Sequence, residues 1–128
     1  MFKTSKKAQY GLRSMVFLAN QNSDEFFSLK DISRKENIPF DFLEKIMSEL
    51  EKRKLVKAKK GVQGGYALAK KPAKITAKDI VNSLEDTISV DCRLCGKVRK
   101  CASKNVWSKV DTAIEKTLKS ITLENLIK

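Results

Sequence analysis

Histidine is absent from this chain of 128 residues, and cysteine, proline and glycine are scarce, with three, two and five residues. Without histidine the chain lacks the side chain whose ordinary pKa suits acid–base catalysis near neutral pH. Neither a serine-based triad nor a phosphate-cradling glycine loop before a helix takes its place. We therefore expect a protein that is not an enzyme.

Long apolar runs are missing as well. Nowhere do about 18 consecutive apolar residues occur, which is the length that a membrane-spanning helix requires. Near the N-terminus, Arg13 interrupts the apolar stretch, and no small-residue cleavage site follows it. An odd number of cysteines also disfavours the disulfide framework of a small secreted protein. These absences predict a soluble, cytoplasmic protein with no membrane partner.

Acidic residues are also few compared with basic residues. The chain has 15 acidic and 27 basic residues, a formal net charge of +12 and an isoelectric point near 9.7. Six of the nine residues 52–60 are cations. Such an imbalance attracts polyanions, which makes nucleic acid the first candidate partner and an anionic surface or an acidic protein the second.

The first half of the sequence predicts three helices, beginning with one over about 5–21 that has apolar residues at helical spacing. Ser28, followed by Asp31, forms an N-cap pair for a short second helix. Pro39 is predicted at the first turn of a third helix. The buried stripe of this third helix comprises Leu43, Ile46, Met47 and Leu50, and its outward face comprises Asp41, Lys45, Ser48 and Lys52. Such an outward face is either plain solvated surface or the recognition surface of a helix-turn-helix.

A basic hairpin is predicted directly after the third helix. Two short strands, 55–59 and 66–69, flank a loop that contains three glycines. A hairpin in this position is the wing of a winged helix, and it makes Lys59 and Lys60 available to DNA phosphates. This feature favours the helix-turn-helix interpretation over a solvated surface.

A fourth helix, capped by Thr76 and Asp79, is predicted to close this domain. A long helix of about 18 residues follows the cysteines, and a helix of that length spans about 27 Å. Its broad apolar face comprises Val106, Trp107, Val110, Ala113, Ile114, Thr117, Leu118 and Ile121. Because this face is larger than a small domain needs, we expect a second copy to cover it in a two-fold dimer that matches a palindromic operator. The alternative is an isolated core helix.

The predicted fold class is therefore mainly α. It consists of a winged helix-turn-helix domain with a two-stranded wing and a long C-terminal dimerisation helix. We assign residues 1–86 to the DNA-binding domain, 87–104 to a cysteine-containing loop and 105–128 to the dimerisation helix and the C-terminal segment.

All three cysteines, Cys92, Cys95 and Cys101, lie within ten residues beside a cluster of cations. Basic neighbours favour thiolates and offset the negative charge of a thiolate-bound centre. Zinc, an iron-sulfur cluster and a metal-free redox switch are the candidates. A closed zinc site lacks its fourth soft ligand here, whereas a cluster can take a fourth ligand from a carboxylate, an amide, solvent or another subunit.

Seven short segments occur in a specific order along the chain. They are YGLRSM (10–15), SLKDIS (28–33), FLEKI (42–46), KGVQGGYAL (60–68), ITAKDIV (75–81), the cysteines followed by VW (106–107), and TLENL (122–126). Together they resemble the IscR and NsrR type of bacterial winged-helix regulators, which are dimeric repressors that hold an iron-sulfur cluster. The resemblance covers about residues 3–126.

For DNA binding, the resemblance implies roles for individual side chains. It places Asp41, Phe42 and Glu44 where relatives read bases, Lys60 where they commonly have a wing arginine, and Ser28 against a phosphate. With the outward-facing and basic residues noted above, the candidate DNA-binding residues are Ser28, Asp41, Phe42, Glu44, Lys45, Lys59 and Lys60.

For sensing, the resemblance implies that the three cysteines bind a [2Fe-2S] or [4Fe-4S] cluster whose state alters DNA affinity. The fourth ligand stays open among Asp91, Gln9, solvent and a small thiol. The implied function is a homodimeric repressor that binds double-stranded DNA and responds to iron-sulfur status, redox state or nitric oxide. The alternatives are a metal-free thiol-switch regulator and a small iron-sulfur carrier or redox protein.

Overall fold

The computed structural model of the protein describes residues 4–21, 25–85 and 102–127. In chain order the elements are α1 Lys6–Ala19, α2 Leu29–Glu36, α3 Phe40–Lys52, β1 Val56–Lys59, β2 Gly65–Leu68, a 3-10 turn Pro72–Lys74, α4 Ala77–Leu84, α5 Ala102–Ser120 and α6 Leu123–Leu126. Helices and one antiparallel hairpin thus make up the described part of the chain. The predicted fold class is confirmed.

Local capping chemistry sets where most of the helices begin. The hydroxyl of Ser28 accepts a hydrogen bond from the Asp31 amide at 3.1 Å, and Thr76 and Asp79 form a reciprocal capping box. These pairs satisfy amides that have no partner within the helix. Pro39 occupies the N-cap position of α3 instead of its first turn, because its backbone is extended, at φ −55° and ψ 132°.

The core lies between α1, α3 and α4. The predicted stripe of α3 is fully buried there, and Ile32, Ile75 and Ile80 pack in the same cluster. Ser14 is a buried polar residue in this region, and its hydroxyl donates to the Tyr10 carbonyl at 2.8 Å. That bond removes the cost of placing a hydroxyl among apolar side chains.

The wing is extended by a segment that precedes α2. β1 and β2 pair antiparallel, with Lys57 opposite Ala67 and Lys59 opposite Gly65. On the other edge of β2, Phe27 and Tyr66 exchange two backbone hydrogen bonds of 2.9 and 2.8 Å. The start of the helix-turn-helix is thereby fixed to the wing.

The C-terminal segment returns to the winged domain. Thr122 bridges to Thr76, the Ala77 amide donates to the Ile121 carbonyl at 2.8 Å, and the Leu123 amide donates to the Ile75 carbonyl at 2.9 Å. Leu123 is fully buried in the core cluster. The segment after α5 is therefore part of the domain core. Within the described ranges, no helix is both long and apolar enough to cross a membrane.

Candidate nucleic-acid interface

A tight turn sets the angle between α2 and α3. Asn37 ends α2 in the left-handed conformation, at φ 54° and ψ 51°, which asparagine tolerates better than most residues. The Ile38 amide donates to the Ser33 carbonyl at 3.0 Å, and the Arg13 guanidinium donates to the Glu36 carbonyl. These bonds link α1 to the turn between α2 and α3, which is the turn that orients α3.

The first turns of α3 present a mixed acidic, basic and aromatic surface. Asp41, Glu44 and Lys45 are exposed, as are the rings of Phe40 and Phe42. Carboxylates can accept from cytosine amino groups, and apolar groups can contact thymine methyls, in a major groove. The predicted recognition face is therefore brought together on one helix.

Phe42 is the recognition-face residue with an aromatic support. The Tyr10 ring meets it edge-to-face, with centroids 5.4 Å apart and an interplanar angle of 86°. The Arg13 guanidinium carbon in turn lies over the Tyr10 ring, 5.9 Å from its centroid. Sequence reasoning missed Tyr10, because its helical spacing alone marks it only as part of the apolar side of α1.

Ser28 is half-buried at the N-terminal end of α2, next to the wing. Its hydroxyl oxygen accepts from the Asp31 amide, which leaves the hydroxyl proton available to a further acceptor such as a phosphate oxygen. The Phe27–Tyr66 bridge sets Ser28 beside Gly65, and Gly65 pairs on its other side with Lys59. The predicted phosphate contacts Ser28 and Lys59 thus flank the same glycine.

Lys59 and Lys60 are exposed at the start of the wing loop, as predicted for cations that reach phosphates. Two further residues lie next to Lys59 that the sequence did not single out. They are Phe26 and Lys57. The ammonium nitrogens of Lys57 and Lys59 lie 5.7 and 5.6 Å from the centroid of the Phe26 ring.

The hydroxyl of Tyr66 on β2 has a raised pKa, and burial is the main cause. Burial raises the pKa of its hydroxyl, and the carboxylates of Glu51 and Glu44 raise it further. The hydroxyl is therefore neutral at physiological pH. The stability that this raised pKa gives is present below pH about 10 and is lost as the pH rises through the folded-state pKa.

The three cysteines lie outside the described residues, so their predicted convergence has no test in the geometry. Among the residues that are described, no cluster of three or more His, Cys, Asp or Glu side chains is placed to hold a metal ion. Gln9 is exposed on α1, and its side-chain amide donates to the carbonyl and hydroxyl of Thr4 at 3.3 and 3.1 Å.

The helix pair, the hairpin after the second helix and the basic loop define a winged-helix DNA-binding protein. Residues 4–128 match the model of the Rrf2 family, described as an iron-dependent transcriptional regulator. The chain belongs to this family of transcriptional regulators and is not an enzyme.

Two of the names that relatives with the same architecture carry are CymR and IscR. The Bacillus subtilis regulator CymR is 37% identical over 97% of this chain and 88% of its own, and its solved structure, described as that of the global cysteine regulator, has a TM-score of 0.85 over 98% and 96% of the two chains. The structure of T. potens IscR is 36% identical with a TM-score of 0.83, over 98% and 85%. An oxidized form of Staphylococcus aureus CymR, 29% identical, has a TM-score of 0.82 over 99% and 97%.

Proposed function

We propose that this protein is a homodimeric repressor that binds a palindromic operator and senses iron-sulfur status, redox state or nitric oxide through its three cysteines. The observation that carries the DNA-binding part is that the exposed α3 face is followed by a basic wing whose Lys59 lies on the same three-segment sheet as Ser28. In this proposal Asp41, Phe42 and Glu44 read base edges, while Ser28, Lys45, Lys59 and Lys60 contact the phosphate backbone.

The dimer is supported by the first half of α5. Val106, Trp107 and Val110 are 55%, 42% and 40% exposed, although all three are large and apolar. Further along the same helix, Ile114 and Leu118 are partly buried. Monomeric proteins rarely leave contiguous apolar patches in water, and a second copy that packs its own α5 here would cover this patch symmetrically. In this division of the chain, residues 1–86 bind DNA, 87–104 sense the signal and 105–128 hold the dimer together.

The sensor is supported by the chemistry of the donor set. The chain has three thiols beside several cations and has no histidine. Cysteine thiolates are the donors that iron-sulfur clusters use. Cys92, Cys95 and Cys101 would hold the cluster together with a fourth ligand. A bound cluster would supply a centre whose oxidation or loss changes the charge next to the DNA-binding domain.

A metal-free thiol switch is the second candidate, and the relatives named CymR favour it. One of them is described as a global cysteine regulator and another was solved in an oxidized form. In this version, two of the three cysteines form a disulfide on oxidation and the third stays free. Both versions use the same thiols and the same DNA-binding face.

Anaerobic purification distinguishes the two versions of the sensor. Visible absorption and native mass spectrometry of the wild type should be compared with those of a Cys92→Ser, Cys95→Ser, Cys101→Ser triple variant. A coloured dimer whose added mass equals iron plus sulfide, beside a colourless variant, supports the cluster. A metal-free wild type that gains one disulfide with oxidant, after failed anaerobic reconstitution, supports the switch.

The DNA-binding part is tested separately, by titrating the dimer with a duplex from the promoter of its own gene. We expect salt-dependent binding that is stronger than binding to a scrambled duplex of equal length. Equal affinity for both duplexes, in cluster-loaded and cluster-free protein alike, would refute the regulator.

A further inference from the structure

The outer face of the wing carries two rows of side chains that the strand register aligns. Paired residues in an antiparallel sheet project to the same face, and alternate residues along a strand share that face. Lys57 and Ala67 form one row, and Lys59 and Gly65 form the other. Since Phe27 pairs with Tyr66, its neighbour Phe26 continues the first row and Ser28 continues the second.

Small residues in the middle of both rows let Phe26 reach the lysines. Ala67 and Gly65 stand between the segment that precedes α2 and strand β1. Phe26 is the cross-strand neighbour of Ala67, which is only 3% exposed even though it faces outward. A larger residue at position 67 would separate the ring from the ammonium groups.

The ring holds two cations that have no acidic partner in the described part of the chain. The Lys57 and Lys59 ammonium nitrogens lie 5.7 and 5.6 Å from its centroid, within the range of a cation–π interaction. The ion pairs in this part of the molecule join Lys7 to Glu49, Arg13 to Glu36, Arg34 to Asp31 and Lys78 to Glu115. Two like charges are thus gathered on one ring, and none of these ion pairs neutralises them.

We propose that Phe26, Lys57 and Lys59 form a phosphate-binding platform for the DNA backbone. In this platform Lys57 and Lys59 bind phosphodiester oxygens, and Phe26 is a positioning residue that limits the freedom of both ammonium groups. Ser28, at the end of the second row, continues the platform towards the start of α2. The inference rests on the proposed DNA-binding function and adds Lys57 and Phe26 to it.

The charge of the platform identifies its occupant. An anion placed between two ammonium groups relieves their repulsion, and a phosphodiester backbone presents such anions in a continuous series. Lysine contacts of this kind carry no sequence information, so the platform should strengthen binding to every duplex equally.

The test uses the full-length protein and a fluorescein-labelled duplex of mixed sequence, titrated between about 50 and 200 mM salt. We expect the slope of log K against log salt to become shallower by about 0.9 for each phosphate contact that Lys57→Ala or Lys59→Ala removes from a protomer. Lys116→Ala is the matched control, because Lys116 is an exposed lysine on α5. It should leave the slope unchanged.

Phe26 is tested with two variants that keep its bulk. Phe26→Leu keeps an apolar side chain opposite Ala67 but has no ring, and we expect it to weaken binding about two- to fivefold. Phe26→Tyr keeps the ring and should restore wild-type affinity. In a Lys57→Ala, Lys59→Ala background, Phe26→Leu should have no further effect, which a purely structural role of the ring would not produce.

The outcomes separate this inference from the function on which it rests. If the wild type shows no salt-dependent binding to any duplex, the DNA-binding proposal itself fails. If the wild type binds but the Lys57→Ala and Lys59→Ala slopes equal that of Lys116→Ala, the platform is refuted and the DNA-binding proposal stands. If Phe26→Leu and Phe26→Tyr bind equally well, the positioning role of the ring is refuted.

Discussion

Gly65 is the residue on which the three-segment wing depends. Its φ of 146° is a backbone conformation that other L-residues rarely adopt, and an added Cβ would collide with the backbone of Phe27 and Ser28. Glycine is therefore required for two reasons, the conformation and the close approach of the segment before α2. Gly61 also has a positive φ, of 114°, but has nothing within 4 Å of an added Cβ.

The two glycines provide a matched pair of substitutions. Gly61→Ala should cost only backbone strain, about 1–3 kcal/mol. Gly65→Ala should cost more, because it also disrupts the two Phe27–Tyr66 hydrogen bonds, each worth about 0.5–1.5 kcal/mol. Urea unfolding measures both, and equal losses of stability would contradict the pairing of this segment with β2.

Lys54 is a second residue whose backbone conformation is unfavourable for its type. It adopts a φ of 61° between α3 and β1, with its amide bonded to the Glu51 carbonyl at 2.9 Å. A non-glycine residue in this region costs about 1–2 kcal/mol. The sequence contains no signal for this, since lysine in a run of cations looks like ordinary surface.

We expect Lys54→Gly to raise the free energy of unfolding by up to about 1 kcal/mol, after the greater entropy of glycine in the unfolded chain is subtracted. Lys45→Gly removes the same type of side chain from the interior of α3, and this variant should lower the free energy of unfolding by about 0.8–1.0 kcal/mol. In thermal or urea unfolding, we therefore expect the two variants to change the free energy of unfolding in opposite directions. A loss in both variants would show that the conformation of Lys54 carries no strain.

At the scale of elements, we expect α3 to determine sequence preference and the wing to contribute affinity for any sequence. Glu44→Ala removes an exposed carboxylate from the recognition face, and we expect it to relax the preference at one base position by about 1–3 kcal/mol. Lys60→Ala removes a wing cation, so it should weaken binding to all sequences alike. Selection from a randomised duplex library, followed by titration, separates these effects. A Glu44→Ala variant that keeps the wild-type preference would remove Glu44 from the base-reading set.

Local sequence signals predicted the helices well, because an apolar period or a cap pair marked each of the five that were predicted. The Thr76–Asp79 pair and the α3 stripe were found in this way. The second capping box, between Thr122 and Asn125, marks the start of α6. It was noticed only as part of a family resemblance, and nothing local indicates that Leu123 is buried in the core.

The candidate site was also predicted only in part, because local periods reveal exposed residues but not contacts between distant segments. Exposed residues of α3 and the wing cations follow from helical and strand periods. The contact of Phe26 with Lys57 and Lys59 depends instead on which segment pairs with the free edge of β2. Pairing between segments so distant in sequence leaves no periodic signal, although two adjacent aromatics before a helix cap could have indicated a strand.

At the scale of the whole molecule, the described fold divides α5 into two parts. Its C-terminal end is tied to the winged domain through α6 and the ion pair between Lys78 and Glu115, at 4.0 Å. Its N-terminal half carries the exposed apolar side chains, including Trp107, which is the single tryptophan of the chain. Any dimer that forms through this face therefore places a fluorescent reporter in its interface.

Val110→Glu tests whether this face joins two copies. A carboxylate without a partner in an apolar interface costs about 3–5 kcal/mol, so we expect the variant to sediment as a monomer at concentrations where the wild type is a dimer. Thr112→Glu adds the same charge on the opposite side of α5, where Thr112 is exposed and donates only to the Ser108 carbonyl at 2.9 Å. It should remain a dimer. Dilution should shift the Trp107 emission to longer wavelength in the wild type and in Thr112→Glu, but not in Val110→Glu. If Val110→Glu sediments as a dimer with unchanged emission, α5 is not the dimer contact.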